Sequence, residues 1–182
     1  FPSVMSLVFP KNREPYTYNT STYMGMLIAA TGENPAEIKD FIENQLAPAI
    51  PEDIASYDAY YFLLPEHASP VASLFITKFD EIFGSLVAKR VFTFEQTKHA
   101  KTVISNPNAL FVSFGVDNKI FGDQRAYIPL PDVAGLATVM AIGYYVIGQI
   151  QKGKPQWFKE SLADYVQFAK NSYGWDLPVI VE

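Results

Sequence analysis

The chain has 182 residues, 49% of them hydrophobic and 15% aromatic, which suits one packed globule and argues against a disordered chain. A formal charge of −5 without a Lys/Arg cluster argues against a phosphate-backbone binder, so no nucleic-acid partner is expected. With no cysteine, disulfides, thiolate chemistry and Cys-held metals are excluded.

Ser3–Phe9 is rich in apolar and β-branched residues and reads as a first strand; Pro10–Tyr18 is polar and irregular. Tyr23–Ala30 (YMGMLIAA) reads as a short buried strand that Gly32 breaks. Asn34-Pro35-Ala36-Glu37 is a helix start, with Asn as N-cap, Pro at the first position and Glu at the capping-box position. Ile38, Phe41, Ile42 and Leu46 follow on one face, and Pro48 and Pro51 end the helix. Asp58–Leu64 (DAYYFLL) is the next strand, closed by Pro65. Ser69-Pro70 opens a helix whose apolar face runs Val71, Leu74, Phe75, Phe79, Ile82, Phe83 and Leu86.

Val91–Phe94 reads as a short strand and Glu95–Ser105 as a helix ending at Asn106-Pro107. Ala109–Gly115 (ALFVSFG) has the pattern of a strand. Val116-Asp117-Asn118-Lys119 reads as a hairpin turn, followed by one or two strands from Ile120 to Leu130. Val133–Ile150 carries no charge over 18 residues, the lower limit for a membrane span. Its three glycines, two tyrosines, Thr and Gln favour a buried core helix, so no membrane role is expected. After a Gly/Lys/Pro turn, a second, amphipathic helix covers about Gln156–Lys170, with Trp157, Phe158, Leu162, Val166, Phe168 and Ala169 near helical spacing. Glu160 and Asp164 lie four apart and share a face; on spacing alone they are the wet side of a surface helix.

The run Pro155-Gln-Trp-Phe-Lys-Glu-Ser-Leu-Ala-Asp-Tyr-Val166 resembles the third-ligand helix of gluzincin-type zinc peptidases, and especially the Glu-Gly-Ile-Ala-Asp-Tyr-Val run of plant basic secretory proteins. The resemblance implies that Glu160 takes the zinc-ligand position, with Ser161 where Gly is usual, and that the preceding helix carries H-E-x-x-H. By that family's spacing the motif falls on Met140, Ala141, Ile142, Gly143 and Tyr144, which include neither His nor Glu. No His follows Lys101, and neither His67 nor His99 has a His partner at i+4. The resemblance therefore implies a retained helix pair at 131–170 without the metal ligands. In that alignment Tyr144 replaces a zinc-binding His and points toward Glu160, so its hydroxyl is expected to donate to that carboxylate.

The fold expectation is α+β: a zincin-like single domain over 1–182, with a small mixed sheet packed against several helices. The functional expectation is a non-catalytic, peptidase-like domain, a pseudoenzyme, that binds a peptide or other ligand. Tyr144, Tyr145, Trp157 and Glu160 form its binding set; no catalytic residue, metal ligand or cofactor is expected. The alternatives are an interaction subunit of a larger assembly, with a protein partner and no enzymatic ancestry, and an unrecognised hydrolase.

The remaining candidates have plainer readings. His67, a possible general base, sits at a Pro-flanked turn where an exposed His is common. His99 lies on a Lys-rich face. Asp117, Asn118 and Asp123 lack the spacing of a calcium loop. No Ser sits in a G-x-S-x-G elbow. Asn19-Thr20-Ser21 is a formal glycosylation sequon. Phe1 in place of Met implies processing, trimming or a fragment, and the expected location is secreted or extracytoplasmic, with the cytoplasm left open.

Overall fold

The computed structural model describes residues 19–174. The strand expected over Ser3–Phe9 lies outside them. The elements run α1 (Asn19–Thr31), α2 (Pro35–Phe41), a π turn (Ile42–Leu46) and a 3-10 turn (Ala47–Ala49), then β1 (Ala59–Leu64), a 3-10 segment (Glu66–Val71) and α3 (Ala72–Phe83). They continue with β2 (Ala88–Thr93), α4 (Phe94–Thr97), β3 (Ala109–Phe114), β4 (Gln124–Ile128), α5 (Leu136–Lys152) and α6 (Trp157–Tyr173).

Local signals account for several of these boundaries. Asn34 caps α2 by accepting from the N–H of Ala36 at 3.0 Å, and its amide donates to Glu37 at 3.0 Å. Thr93 and Gln96 form a reciprocal capping box at the start of α4. Gly84, at φ +54°, ends α3, and its N–H donates to the carbonyl of Asp80.

Three expectations are corrected. Tyr23–Ala30 belongs to helix α1 and not to a strand: its Met, Leu and Ala residues are good helix formers, and an uninterrupted apolar run does not reveal its period. The helix expected over Glu95–Ser105 stops at Thr97, and Ala100 takes a positive φ of 57°. No hairpin forms at Val116–Lys119, because β3 and β4 run parallel.

The sheet has the order β2-β1-β3-β4, and every pairing is parallel. The expectation of a mixed sheet in a zincin-like α+β domain gives way to a parallel, α/β arrangement. The coarser reading, one sheet packed against several helices, stands. The order reverses direction between β1 and β3, as in doubly wound folds.

The two faces of the sheet differ. Tyr60, Phe62, Leu64, Val91, Leu110, Val112, Phe114, Ala126 and Ile128 point into the main core, where they meet Phe75, Phe79 and Phe83 of α3 and Val139, Met140, Ile142, Val146, Ile147 and Ile150 of α5. Met24 and Leu27 of α1, Phe41 of α2 and Trp157 of α6 join the same cluster. The opposite face holds a smaller cluster of Tyr61, Leu63, Ala109, Phe111 and Phe121, flanked by Ala59, Phe92 and Phe94. Right-handed crossovers explain this. The step from β1 outward to β2 carries α3 over one face. The steps from β2 back past β1 to β3, and on to β4, carry residues 94–108 and 115–123 over the other.

At Gly143 the backbone of α5 lies close against α3. A Cβ at this position would fall within the ring of Phe75, which is itself held edge-on against Phe62 and Phe114. Alanine in place of glycine gains about 1 kcal/mol of helix propensity, while overpacking a filled core costs about 1–3 kcal/mol. Gly143→Ala is therefore expected to lower stability by about 1 kcal/mol, measured by urea unfolding; a more stable variant would show that the helices separate freely.

Candidate binding cleft

Of the four residues of the expected binding set, Trp157 is the one that lines the cleft described below. Tyr144 of α5 faces α3: its hydroxyl donates to the carbonyl of Leu74 over a long 3.4 Å, its ring lies 6.4 Å from that of Phe75, and Lys78 Nζ stands 5.6 Å from the ring centroid. Burial, and then the charges of Glu81 and Tyr23, push the Tyr144 hydroxyl up to about 12. A phenol has one proton to give, and here it goes to a backbone oxygen, which corrects the expected bond to Glu160. Tyr145 is half-buried against the main core. Glu160 is exposed on the first turn of α6.

Trp157 instead lines a cleft of about 550 Å³ between α6 and the C-terminal end of α3. Its walls include Phe83, Leu86, Phe158, Leu162 and Tyr165, with Asp80, Glu81 and Ser161 as polar members. The local sequence explains its shape. Gly84 stops α3 and turns the chain, so Leu86, which the spacing placed on the helix's apolar face, leaves the helix and is 63% exposed. Ser85 is the remaining residue of that turn. At the other wall, the α5–α6 turn is pinned to the loop before β1. Gly153 packs so closely on Ala55 that a Cβ would overlap its methyl, and Lys154 Nζ donates to the carbonyl of Tyr57 at 2.8 Å.

On α6, Leu162 and Ala169 are buried and Phe168 is exposed. The inward stripe therefore runs through 158, 162, 166 and 169, and Phe168 lies off it. The carboxylates at the cleft are paired: Asp80 with Lys89, Glu81 with Lys78. The walls thus present mainly aromatic and aliphatic surface.

Doubly wound sheets bind ligands outside the carboxyl ends of the strands, where the order reverses. Here that end is knitted together by the chain itself. Glu33, from the α1–α2 loop, accepts from the backbone N–H groups of Gly135, Ala137 and Thr138 at 3.0, 2.9 and 2.9 Å, so it fills the anion-favouring start of α5. A Cβ at Gly135 would collide with that carboxylate.

Burial alone raises the Glu33 pKa. Hydrogen bonds from the Thr138 side chain, from Thr31 and from the backbone of Thr138 and Ala137 outweigh it and hold the group below its ordinary value. Glu66, after β1, accepts from the N–H of Glu95 at 2.9 Å. The Nε2 of His67 lies 2.9 Å from the carbonyl of Ala134, placing the proton on that nitrogen. Sequence reasoning passed over Glu33, whose partners lie more than 100 positions away. Asp117 pairs with Lys119, Asp123 accepts from Ser105, and Asn118 closes a local turn onto Ile120 and Phe121. Among the described residues, no group of three or more His, Asp or Glu is placed to hold a metal ion, and no helix is long and apolar enough to cross a membrane.

No family model matches the chain, and no curated protein matches it. Among solved structures it is similar to the C-terminal domain of glucosamine-fructose-6-phosphate aminotransferase from Francisella tularensis, with 13% identity and a TM-score of 0.41. The alignment covers 75% of this chain and 45% of that one, so the chain spans less than half of that protein's length. The peptidase resemblance of residues 155–166 is corrected by the geometry: the strands before α5 form a parallel sheet and not a hairpin, and Tyr144 turns to α3 and not to Glu160. The zincin-like and pseudoenzyme readings fall with it.

Proposed function

We propose that the chain is a binding domain that receives an apolar ligand, such as a peptide side chain, in the cleft between α3 and α6. One observation carries this reading: a concavity of about 550 Å³ walled by Phe83, Leu86, Trp157, Phe158 and Tyr165. Ligand sites are typically 300–1,000 Å³, mostly apolar, with a few placed polar groups; Ser161 and the paired Asp80 and Glu81 supply those here. Ligand contact would offset the exposure of Leu86 and Tyr165, each apolar carbon removed from water contributing in proportion to its area. Trp157 is the member of the expected binding set that this reading retains as a wall. Tyr144 and Tyr145 support α5 behind it.

Nile red, a neutral solvatochromic dye, tests the reading. Saturable binding with one dye per chain and a blue-shifted emission is the expected result. Leu86→Asp and Tyr165→Ala, both at exposed positions, are expected to weaken it about 5-fold or more, equivalent to about 1 kcal/mol. Binding that is unchanged in both variants, or that never saturates, would reject the cleft as the site.

A further inference from the structure

The lining of the cleft between α3 and α6 carries charge of one sign. Asp80 and Glu81 bring two carboxylates to it, and among the described residues none that lines it is Lys, Arg or His. Both carboxylates are paired, Asp80 with Lys89 and Glu81 with Lys78. Neither lysine belongs to the lining. Lys78 Nζ lies over the ring of Tyr144 in α5, 5.6 Å from its centroid, and Lys89 is on the edge strand β2. Each ion pair thus presents its negative partner to the cleft. Lys159, next to Phe158 in the chain, is exposed and stands outside the lining as well.

Much of the remaining surface is aromatic, from Phe83, Trp157, Phe158 and Tyr165. The face of such a ring is electron-rich and attracts a cation within about 6 Å of its centroid. An anion would meet two carboxylates with no cation in the lining to offset them. A compact ammonium such as that of lysine is strongly hydrated, and giving up that water against apolar walls is costly. A quaternary ammonium differs on both counts. It has no N–H to leave unpaired, and its charge is spread over methyl groups that bury apolar area as they bind. The volume of about 550 Å³ exceeds what a trimethylammonium head fills, which leaves room for an apolar remainder beside Leu86 and Leu162.

We infer that the cleft selects organic cations of the alkylated ammonium type, with Asp80 and Glu81 supplying the counter-charge and the aromatic rings the contact surface. This selectivity rests on the cleft being the binding site, as proposed above.

Displacement of Nile red by choline and by 3,3-dimethylbutan-1-ol, its neutral carbon isostere, tests the selectivity, because the two share a shape and differ in charge. Choline is expected to displace the dye at an about 5-fold lower concentration, the size of one partly desolvated cation–aromatic contact. The anion 3,3-dimethylbutanoate is expected not to compete. Asp80→Asn with Glu81→Gln keeps the shape of the cleft and leaves Lys78 and Lys89 without their partners, so the preference for choline should disappear. Both pairs are partly exposed, and surface pairs contribute little to stability, so the double variant should fold. Tyr165→Ala, at an exposed position, is the second variant and should reduce the preference about 2-fold or more.

A short uncharged peptide carrying one trimethyl-lysine separates the two sources of such a head. Tighter binding by the peptide assigns a modified side chain, tighter binding by choline a free small molecule, and either result upholds the selectivity. An alcohol that displaces the dye as well as choline does, or a preference that survives both variants, overturns it and leaves an apolar cleft. Nile red that never binds saturably removes the cleft as a site and the selectivity with it, so the dye alone tells the two failures apart.

Discussion

Gly122→Ala is expected to destabilise the domain by about 3 kcal/mol, read as a lower urea midpoint with an unchanged slope. Two costs add. Gly122 sits at φ +71°, where a residue with a Cβ costs about 1 kcal/mol. The added methyl would also fall inside the ring of Phe111, and overpacking adds about 1–3 kcal/mol. That ring has nowhere to go, since it is buried and stacked on Tyr61 with centroids 4.6 Å apart and planes 9° from parallel.

The close approach follows from the connection itself. The register pairs Leu110 with Gln124 and Phe114 with Ile128. The chain must therefore climb back about 13 Å within residues 115–123, where parallel crossovers usually use a dozen residues or more. It does so by pressing its backbone onto the sheet, and the Arg125 guanidinium holds it there by donating to the carbonyls of Lys119, Phe121 and Gly122. Gly32→Ala is the control. Gly32 has φ +72°, close to that of Gly122, but open space around its Cβ position, so it should lose only the conformational part. Equal losses at the two positions would show that the ring overlap contributes nothing.

Glu33→Gln is expected to lower stability by about 2 kcal/mol near neutral pH. The amide keeps the shape of the carboxylate but has one accepting oxygen. Its NH₂ must face an N–H of Gly135, Ala137 or Thr138, leaving donors at the start of α5 without an acceptor. Charged hydrogen bonds contribute about 1.5–3 kcal/mol and an N-cap about 1, reduced here because the site is only partly buried. The pH dependence has a definite sign. The folded-state pKa of Glu33 is lowered from about 4.5, so its stabilisation is complete above the unfolded value and is lost as pH falls through the folded one. The gap between the parent and Glu33→Gln should hold constant near neutrality and narrow in acid. A gap that widens in acid would mean the carboxylate is not what caps α5.

How much of this was legible depends on the range of the interactions. β1, β3, α3, α5 and α6 were visible because their apolar spacing and their Pro, Gly and Asn punctuation are local. α1 was misread because residues 23–30 are apolar throughout, which leaves no period to separate helix from strand. The turn-rich stretch 116–119 signalled a break between strands but carried no information on direction, and direction separates a hairpin from a crossover. The run at 155–166 drew attention to Trp157, which lines the cleft. The opposite wall depends on Gly84 releasing Leu86 from α3, and periodicity alone kept that leucine in the helix. Glu33 has no motif around it, since its role is set by donors that arrive only when α5 docks.

The arrangement of β1 between β2 and β3 has a kinetic consequence. Both partners of Ala59 arrive late in the chain, at Ala88 and Ala109, so the central ladder closes only after loops of about 30 and 50 residues have been gathered in. Ordering so much chain before the reward of pairing makes acquisition of the native state slow for a molecule of this size, in the millisecond-to-second range of topologies with distant pairings. Helical signal should therefore precede burial of the aromatic rings when denaturant is diluted away.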